Sequence, residues 1–207
     1  MEDRLRRAAA DAVGFMPEDE GLALHDSAAA VAARGPLLEI GSYCGKSTIY
    51  LAAAAREAGS VVYAIDHHRG SEEHQPGEAY FDERLLGPDG RVDTFPMFRA
   101  TIEAAGLDDV VIPIVARSEV ALRGWSQPLA FVFIDGSHSA AAARVDLQWS
   151  DHLEPGGRLA IHDVFPDPAD GGRPPFEIYE SALASGRFTE VAARGSLRVL
   201  ERVDDFL

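Results

Sequence analysis

Cysteine occurs once in this chain, at Cys44, so an internal disulfide is excluded and the fold must rest on its core. Lysine also occurs once, at Lys46, and the other basic residues are arginines scattered without a cluster. With 19 basic against 34 acidic residues the formal net charge is -15. That balance argues against a nucleic-acid partner, because gripping phosphates needs a basic footprint. No apolar run approaches the roughly 20 residues that span a bilayer, and Met1-Glu2-Asp3-Arg4 lacks the apolar core of a signal peptide. A soluble cytoplasmic protein, with no membrane partner and with small or neutral substrates, is the expectation.

At 207 residues, 46% of them hydrophobic, the chain has the size and composition of one α/β domain with a large core. Helical spacing marks residues 2–12 and 18–33, with Glu18, Asp19 and Glu20 in the first turn of the second helix and Arg34-Gly35-Pro36 ending it. These form an expected N-terminal helical cap over about residues 1–35. Short apolar runs at 37–40, 61–66, 110–115, 130–135 and 158–162 predict strands, and they alternate with helical patterns at 46–58, 94–105 and 139–153. Such alternation predicts a mostly parallel sheet with helices on both faces. The last part changes character. After a Pro/Gly-rich stretch at 165–175 come a helix near 176–185 and strands near 188–193 and 197–203, joined through Arg194-Gly195, a tight turn that predicts an antiparallel hairpin at the sheet edge. Residues 67–93 stand apart, being polar, rich in His, Glu and Gly, and far longer than the usual connection of about 2–6 residues. A lid over a site and a solvated insertion, partly helical around 78–86, are the two readings.

The most informative stretch runs from Leu37 to Thr48, where an apolar strand enters a glycine-bearing turn that opens a helix. Gly41 and Gly45 permit close backbone approach, and the amides of the following helix attract negative charge. A P-loop needs four residues between its glycines, and this turn has only Ser42, Tyr43 and Cys44. A dinucleotide fingerprint needs its second glycine where Tyr43 stands. What remains is Glu39, two positions before Gly41, a carboxylate better suited to a cationic amino-acid ligand than to a phosphate.

Ligands of open α/β sheets bind beyond the carboxyl ends of the strands, where Asp66, Asp135 and Asp163 fall. Asp66 follows Gly45 by about the interval, roughly 20 residues, at which an acid grips ribose hydroxyls; a helix cap or a solvated strand-end acid is the competing reading. Asp135 and Asp163 could converge on one divalent cation, and their hard oxygens suit Mg²⁺. His138 is a candidate general base, its reference pKa being about 6.5, although Ser137-His138-Ser139 could equally cap the helix that begins near Ala140.

The segment Leu38-Glu39-Ile40-Gly41-Ser42-Tyr43-Cys44-Gly45-Lys46-Ser47 resembles motif I of class I S-adenosylmethionine (SAM) methyltransferases, in the form found in catechol O-methyltransferase and its relatives. Residues 153–163, Leu-Glu-Pro-Gly-Gly-Arg-Leu-Ala-Ile-His-Asp, resemble that group's Leu-x-Pro-Gly-Gly turn and metal-binding strand, with Phe131-Val132-Phe133-Ile134-Asp135-Gly136-Ser137-His138 between the two. The motifs together cover about residues 37–164. The resemblance implies a Rossmann-like class I methyltransferase fold with a mostly parallel seven-stranded sheet, and SAM and Mg²⁺ as cofactors. It implies that Glu39, Gly41, Tyr43, Gly45 and Ser47 line the cofactor turn, with Ser47 on the SAM carboxylate, Asp66 on the ribose and Ser118 with Glu119 on the adenine edge. Asp135 joins the cofactor site and, with His162 and Asp163, is the implied metal set. His162 is a departure, since catechol enzymes carry Asp there and macrolide sugar O-methyltransferases carry Glu. Imidazole is a poor Mg²⁺ ligand, so contact with substrate is the other reading of His162.

His138 stands where catechol enzymes place a lysine and metal-dependent sugar O-methyltransferases a histidine. The implied activity is O-methylation of a small-molecule hydroxyl, a sugar such as a mannoside or macrolide sugar. A catechol or phenol acceptor, and a SAM-binding protein without transferase activity, are the alternatives. The arginine-rich, lysine-poor composition is similar to that of actinobacterial enzymes acting on such sugars. Many relatives pair, which implies a homodimer through the N-terminal helices.

Overall fold

The computed structural model describes residues 1–136, 139–167, 169 and 173–203. Two helices open the chain, α1 (Asp3–Asp11) and α2 (Glu18–Ala29). Strand β1 (Leu37–Ile40) leads into α3 (Lys46–Ala58), then β2 (Val62–Asp66), α4 (Phe95–Ala105), β3 (Val111–Val115) and the short α5 (Ser118–Leu122). The second half runs β4 (Leu129–Ile134), α6 (Ala140–Leu147), β5 (Leu153–Ile161), α7 (Pro174–Ala184), β6 (Phe188–Arg194) and β7 (Leu197–Arg202). The strands form one seven-stranded sheet in the order β3-β2-β1-β4-β5-β7-β6. Strands β1 to β5 are parallel, whereas β7 runs antiparallel to both β5 and β6, giving the expected C-terminal hairpin.

Side-chain alternation along the strands separates two cores. Leu37, Phe131, Phe133 and Ala160 face α1 to α4, whereas Leu38, Ile40, Val132, Ile134 and Ile161 face Ala143 of α6, Trp149 and Ile178 and Ala182 of α7. Helix α3 is buried from Ser47 through Ala55, which its alanine run permits: small side chains let α1 and α2 lie against it while it also lies on the sheet. The N-terminal cap is thereby part of the main core, through Leu5, Ala9, Leu24 and Ala28.

Three local features differ from the sequence reading. Strand β5 begins at Leu153, ahead of the Pro155-Gly156-Gly157 turn, because Leu129 pairs with Leu153 before the register shifts toward Phe131. The helix expected over 139–153 ends at Leu147 and tightens into a 3-10 turn over Gln148–His152. Residues 67–93 carry 3-10 turns at Glu72–His74 and Glu83–Leu85 and a bridge between Leu86 and Val92. Leu85 and Val92 are buried against Cys44, so this segment packs on the glycine turn. Among the described residues no helix is long and apolar enough to cross a membrane.

Candidate active site

Strands β1 and β4 are neighbours at the point where the sheet order reverses, which is where open α/β sheets form a crevice. The ladder continues one residue past the strands: Gly41 donates to Ile65 O at 2.9 Å, Asp135 to Ile40 O at 2.9 Å and His162 to Ile134 O at 3.1 Å. Gly41 has φ +92°, and a Cβ there would lie 2.2 Å from the Asp135 carbonyl oxygen. Only glycine lets the exits of β1 and β4 touch. Among the described residues, the non-glycine residues with positive φ are Tyr43 (45°), His68 (57°) and Asp163 (56°), just beyond β1, β2 and β5. Backbone strain therefore collects along this one edge.

Asp66 ties the turn to the next strand. Its Oδ2 accepts from the Tyr43 amide at 2.8 Å and its Oδ1 from the His68 amide at 2.7 Å. Each carboxylate oxygen keeps a second lone pair, and the side chain is half-buried, so it can still accept from a ligand. Glu39 lies fully buried beneath the turn, accepting from Ser47 Oγ at 2.6 Å and Thr48 Oγ1 at 2.5 Å. Burial pushes its carboxyl up to about 8 against the pull of those two hydroxyl bonds, and the charges of Asp135 and Asp66 add to the rise. The Ser47 hydroxyl, expected on a ligand, thus faces Glu39. Gly45 is the N-cap of α3. Burial also raises the Cys44 thiol to about 12, which removes the only cysteine as a nucleophile.

The Tyr43 ring stacks on His74 at 4.8 Å, with Phe15 at 5.8 Å from Tyr43 and 5.2 Å from Tyr80. Phe15 is 60% and Tyr80 50% exposed, so these rings form a partly open aromatic face beside the turn. His68 Nδ1 lies 2.7 Å from Thr94 Oγ1, and the Thr94 amide donates to the His68 carbonyl at 3.1 Å. Both feet of the 68–93 segment are pinned to each other. The turn fits an adenosyl amino-acid ligand on two further counts: the Gly41 cradle leaves room that a Cβ would fill, and Ser42 Oγ is buried without a hydrogen-bond partner among the described residues.

Ser118 opens α5 beyond β3, but its hydroxyl accepts from Trp149 Nε1 at 2.8 Å and bonds Asp146. Glu119 is exposed. Asp146 of α6 is a buried carboxyl raised to about 6 by that burial, and its Oδ2 would lie 3.0 Å from a Cβ on Gly136. The sequence reading missed it, since a lone acid in an alanine-rich helix carries no pattern.

Asp135, His162 and Asp163 converge as expected, with ligand-type atoms within 4.8 Å of one another, a span that one ion could bridge. The donor chemistry points elsewhere. His162 Nδ1 lies 3.1 Å from Asp135 Oδ1 and 3.4 Å from Asp163 Oδ1, and its Nε2 lies 2.7 Å from Glu20 Oε2. Burial alone would lower this imidazole, but the Asp135 charge and the bonds to Asp135, Asp163 and Glu20 outweigh it and push it up to about 12. Glu20 is buried and also accepts from the Ser196 amide and hydroxyl, each at 3.0 Å. Burial would raise its carboxyl, but the His162 and Ser196 bonds outweigh that and hold it low. Gly195 has φ +51°, and a Cβ there would lie 2.0 Å from Glu20 Oε1, so the hairpin turn is shaped around this carboxylate. Sequence reading missed Glu20, although it lies four and eight residues before the buried Leu24 and Ala28 and so shares their stripe. His138, the expected base, lies outside the described residues.

A family of the description "Methyltransferase domain" matches residues 38–164. Among solved structures, an O-methyltransferase from Bacillus cereus in complex with SAH is 19% identical, with a TM-score of 0.64 over 99% of this chain and 92% of that one. TomG from Streptomyces achromogenes, an O-methyltransferase involved in tomaymycin synthesis and solved with SAM, is 17% identical, with a TM-score of 0.66 over 99% and 91%. The SAH-bound methyltransferase PaMTH1 from Podospora anserina is 14% identical, with a TM-score of 0.68 over 99% and 89%. These likenesses extend the shared fold over nearly the whole chain, N-terminal helices included.

Proposed function

The chain belongs to the methyltransferase-domain family, and on that premise we propose that it is a SAM-dependent O-methyltransferase acting on a small-molecule hydroxyl, with a sugar as the acceptor. The observation that carries this reading is the edge formed by Gly41, Ser42 and Asp66, where a glycine cradle, a buried hydroxyl lacking a partner and a carboxylate with spare lone pairs meet at the switch point. SAM bound there supplies a methyl group on a sulfonium leaving group. Asp66 accepts the ribose hydroxyls, and Glu39 holds the start of α3 in place through Ser47 and Thr48. His138 takes the acceptor's proton as the hydroxyl oxygen gains the methyl, and S-adenosylhomocysteine (SAH) leaves. No step is routed through Mg²⁺, because the strand-end donor set does not fit that ion.

A small acceptor is supported by the net charge of -15 and by the relative named for tomaymycin synthesis. The segment 67–93 serves as the lid, resting on Cys44 through Leu85 and Val92 and bringing Tyr80 to the aromatic face. That face also favours a second reading, a phenol or catechol acceptor stacked on Phe15 and Tyr43. SAH release across a panel of sugars and phenols separates the two, and the account expects turnover with sugars. In the same assay His138→Ala should lower turnover by about 10²–10⁴-fold while SAM affinity stays within about twofold. Wild-type turnover in that variant near neutral pH would remove His138 as the base, and turnover with phenols alone would replace the sugar.

A further inference from the structure

The acids at the ends of β4 and β5 invite a divalent cation, yet a buried histidine already stands among them. Each ring nitrogen of His162 faces a carboxylate, Nε2 toward Glu20 at 2.7 Å and Nδ1 toward Asp135 at 3.1 Å. With a carboxylate oxygen within hydrogen-bond distance of each nitrogen, both nitrogens are engaged and neither faces an open coordination position. Mg²⁺ asks for a near-octahedral shell of oxygens at about 2.0–2.1 Å. Here the acids closest to that position are bonded to an N–H pointing into their midst. The arrangement is built from afar: Glu20 comes from α2 and is held by the Ser196 amide and hydroxyl over a turn that only glycine can make at Gly195. Removing His162 from the cluster would leave Glu20 buried with its charge no longer opposed, which is costly.

We propose that the Glu20–His162 pair occupies the place of a divalent cation, so that this centre works without a metal and Glu20 is the residue that positions His162 against Asp135. The proposal rests on the methyltransferase reading for what the centre does, but the binding of metal is measured independently of turnover. Mn²⁺, whose free form gives a sharp electron paramagnetic resonance signal, is titrated into the full chain with and without SAH, beside calorimetry with Mg²⁺. The wild type should leave the Mn²⁺ signal unattenuated at millimolar protein and ion. His162→Asp, which replaces the ring by a third hard carboxylate, should bind Mn²⁺ at least tenfold more tightly. Uptake of one Mn²⁺ per wild-type chain at micromolar concentrations would overturn the proposal, and this arm stands even if the variant fails to fold. Failure of SAH to bind under every condition would instead count against the methyltransferase reading and leave the metal result readable.

Discussion

The turn at Gly41–Asp66 and the cluster around His162 share one strand edge but are made differently. In the first, backbone amides supply the contacts and a single half-buried carboxylate gathers two of them, leaving lone pairs to spare. In the second, Glu20, Asp135, His162 and Asp163 from three chain segments satisfy one another with side chains. The difference assigns the work. A site with unspent hydrogen-bonding capacity can receive a ligand, whereas a mutually satisfied ionic cluster fixes geometry and yields nothing without breaking.

That contrast is broken most sharply at Glu20. Glu20→Ala strands His162 among acids and removes the partner of Ser196, so it should cost about 3–5 kcal/mol, as loss of one member of a buried ion pair does. Thermal unfolding would read this as a fall in Tm of about 6–20 °C for a chain of this size. A Tm within a degree or two of the wild type would show the cluster to be replaceable. At the turn, Asp66→Ala should weaken SAH binding by about tenfold to a hundredfold, or about 1.5–3 kcal/mol for lost hydrogen bonds to a charged group, measured by calorimetry. Equal affinity would mean that Asp66 braces the loop and touches no ligand.

A pH-dependent effect tests Glu39. Its folded value of about 8 lies above the ordinary 4.5. Between those values the unfolded chain sheds the proton that the folded chain keeps, so this group's stabilising contribution declines as pH rises from about 4.5 through about 8 and levels off beyond. Glu39→Gln, which can still bond both hydroxyls, should therefore nearly match the wild type near pH 5 and exceed it in stability near pH 9. A gain of the same size at both pH values would contradict the assignment.

The same contrast explains what could be read from the chain. The turn was legible because its parts are local: Gly41, Gly45 and Asp66 lie on consecutive strand–helix units, and the helix expected at 46–58 is α3 as it stands. Short apolar runs placed β1 to β5, of which β1 and β4 are buried along their whole length, and the tight turn at Arg194-Gly195 placed β6 and β7. Glu20 was not legible. It meets His162 across 142 residues and Ser196 across 176, and an acid in a helix's first turn looks the same whether it complements the helix dipole in solvent or closes a buried pair. Ser118 failed to announce its bond to Trp149 for the same reason, the partner lying 31 residues on in another layer. The packing of 67–93 was hidden because it rests on a few scattered side chains of a polar segment, Leu85 and Val92 against Cys44 and His74 against Tyr43.

The central claim is that the Gly41–Asp66 edge holds an adenosyl amino acid, and calorimetric titration of SAM and SAH into the wild-type chain tests it most directly. The account predicts micromolar binding of one ligand per chain, unchanged by EDTA. Absence of binding by either compound, with the protein folded, would contradict it.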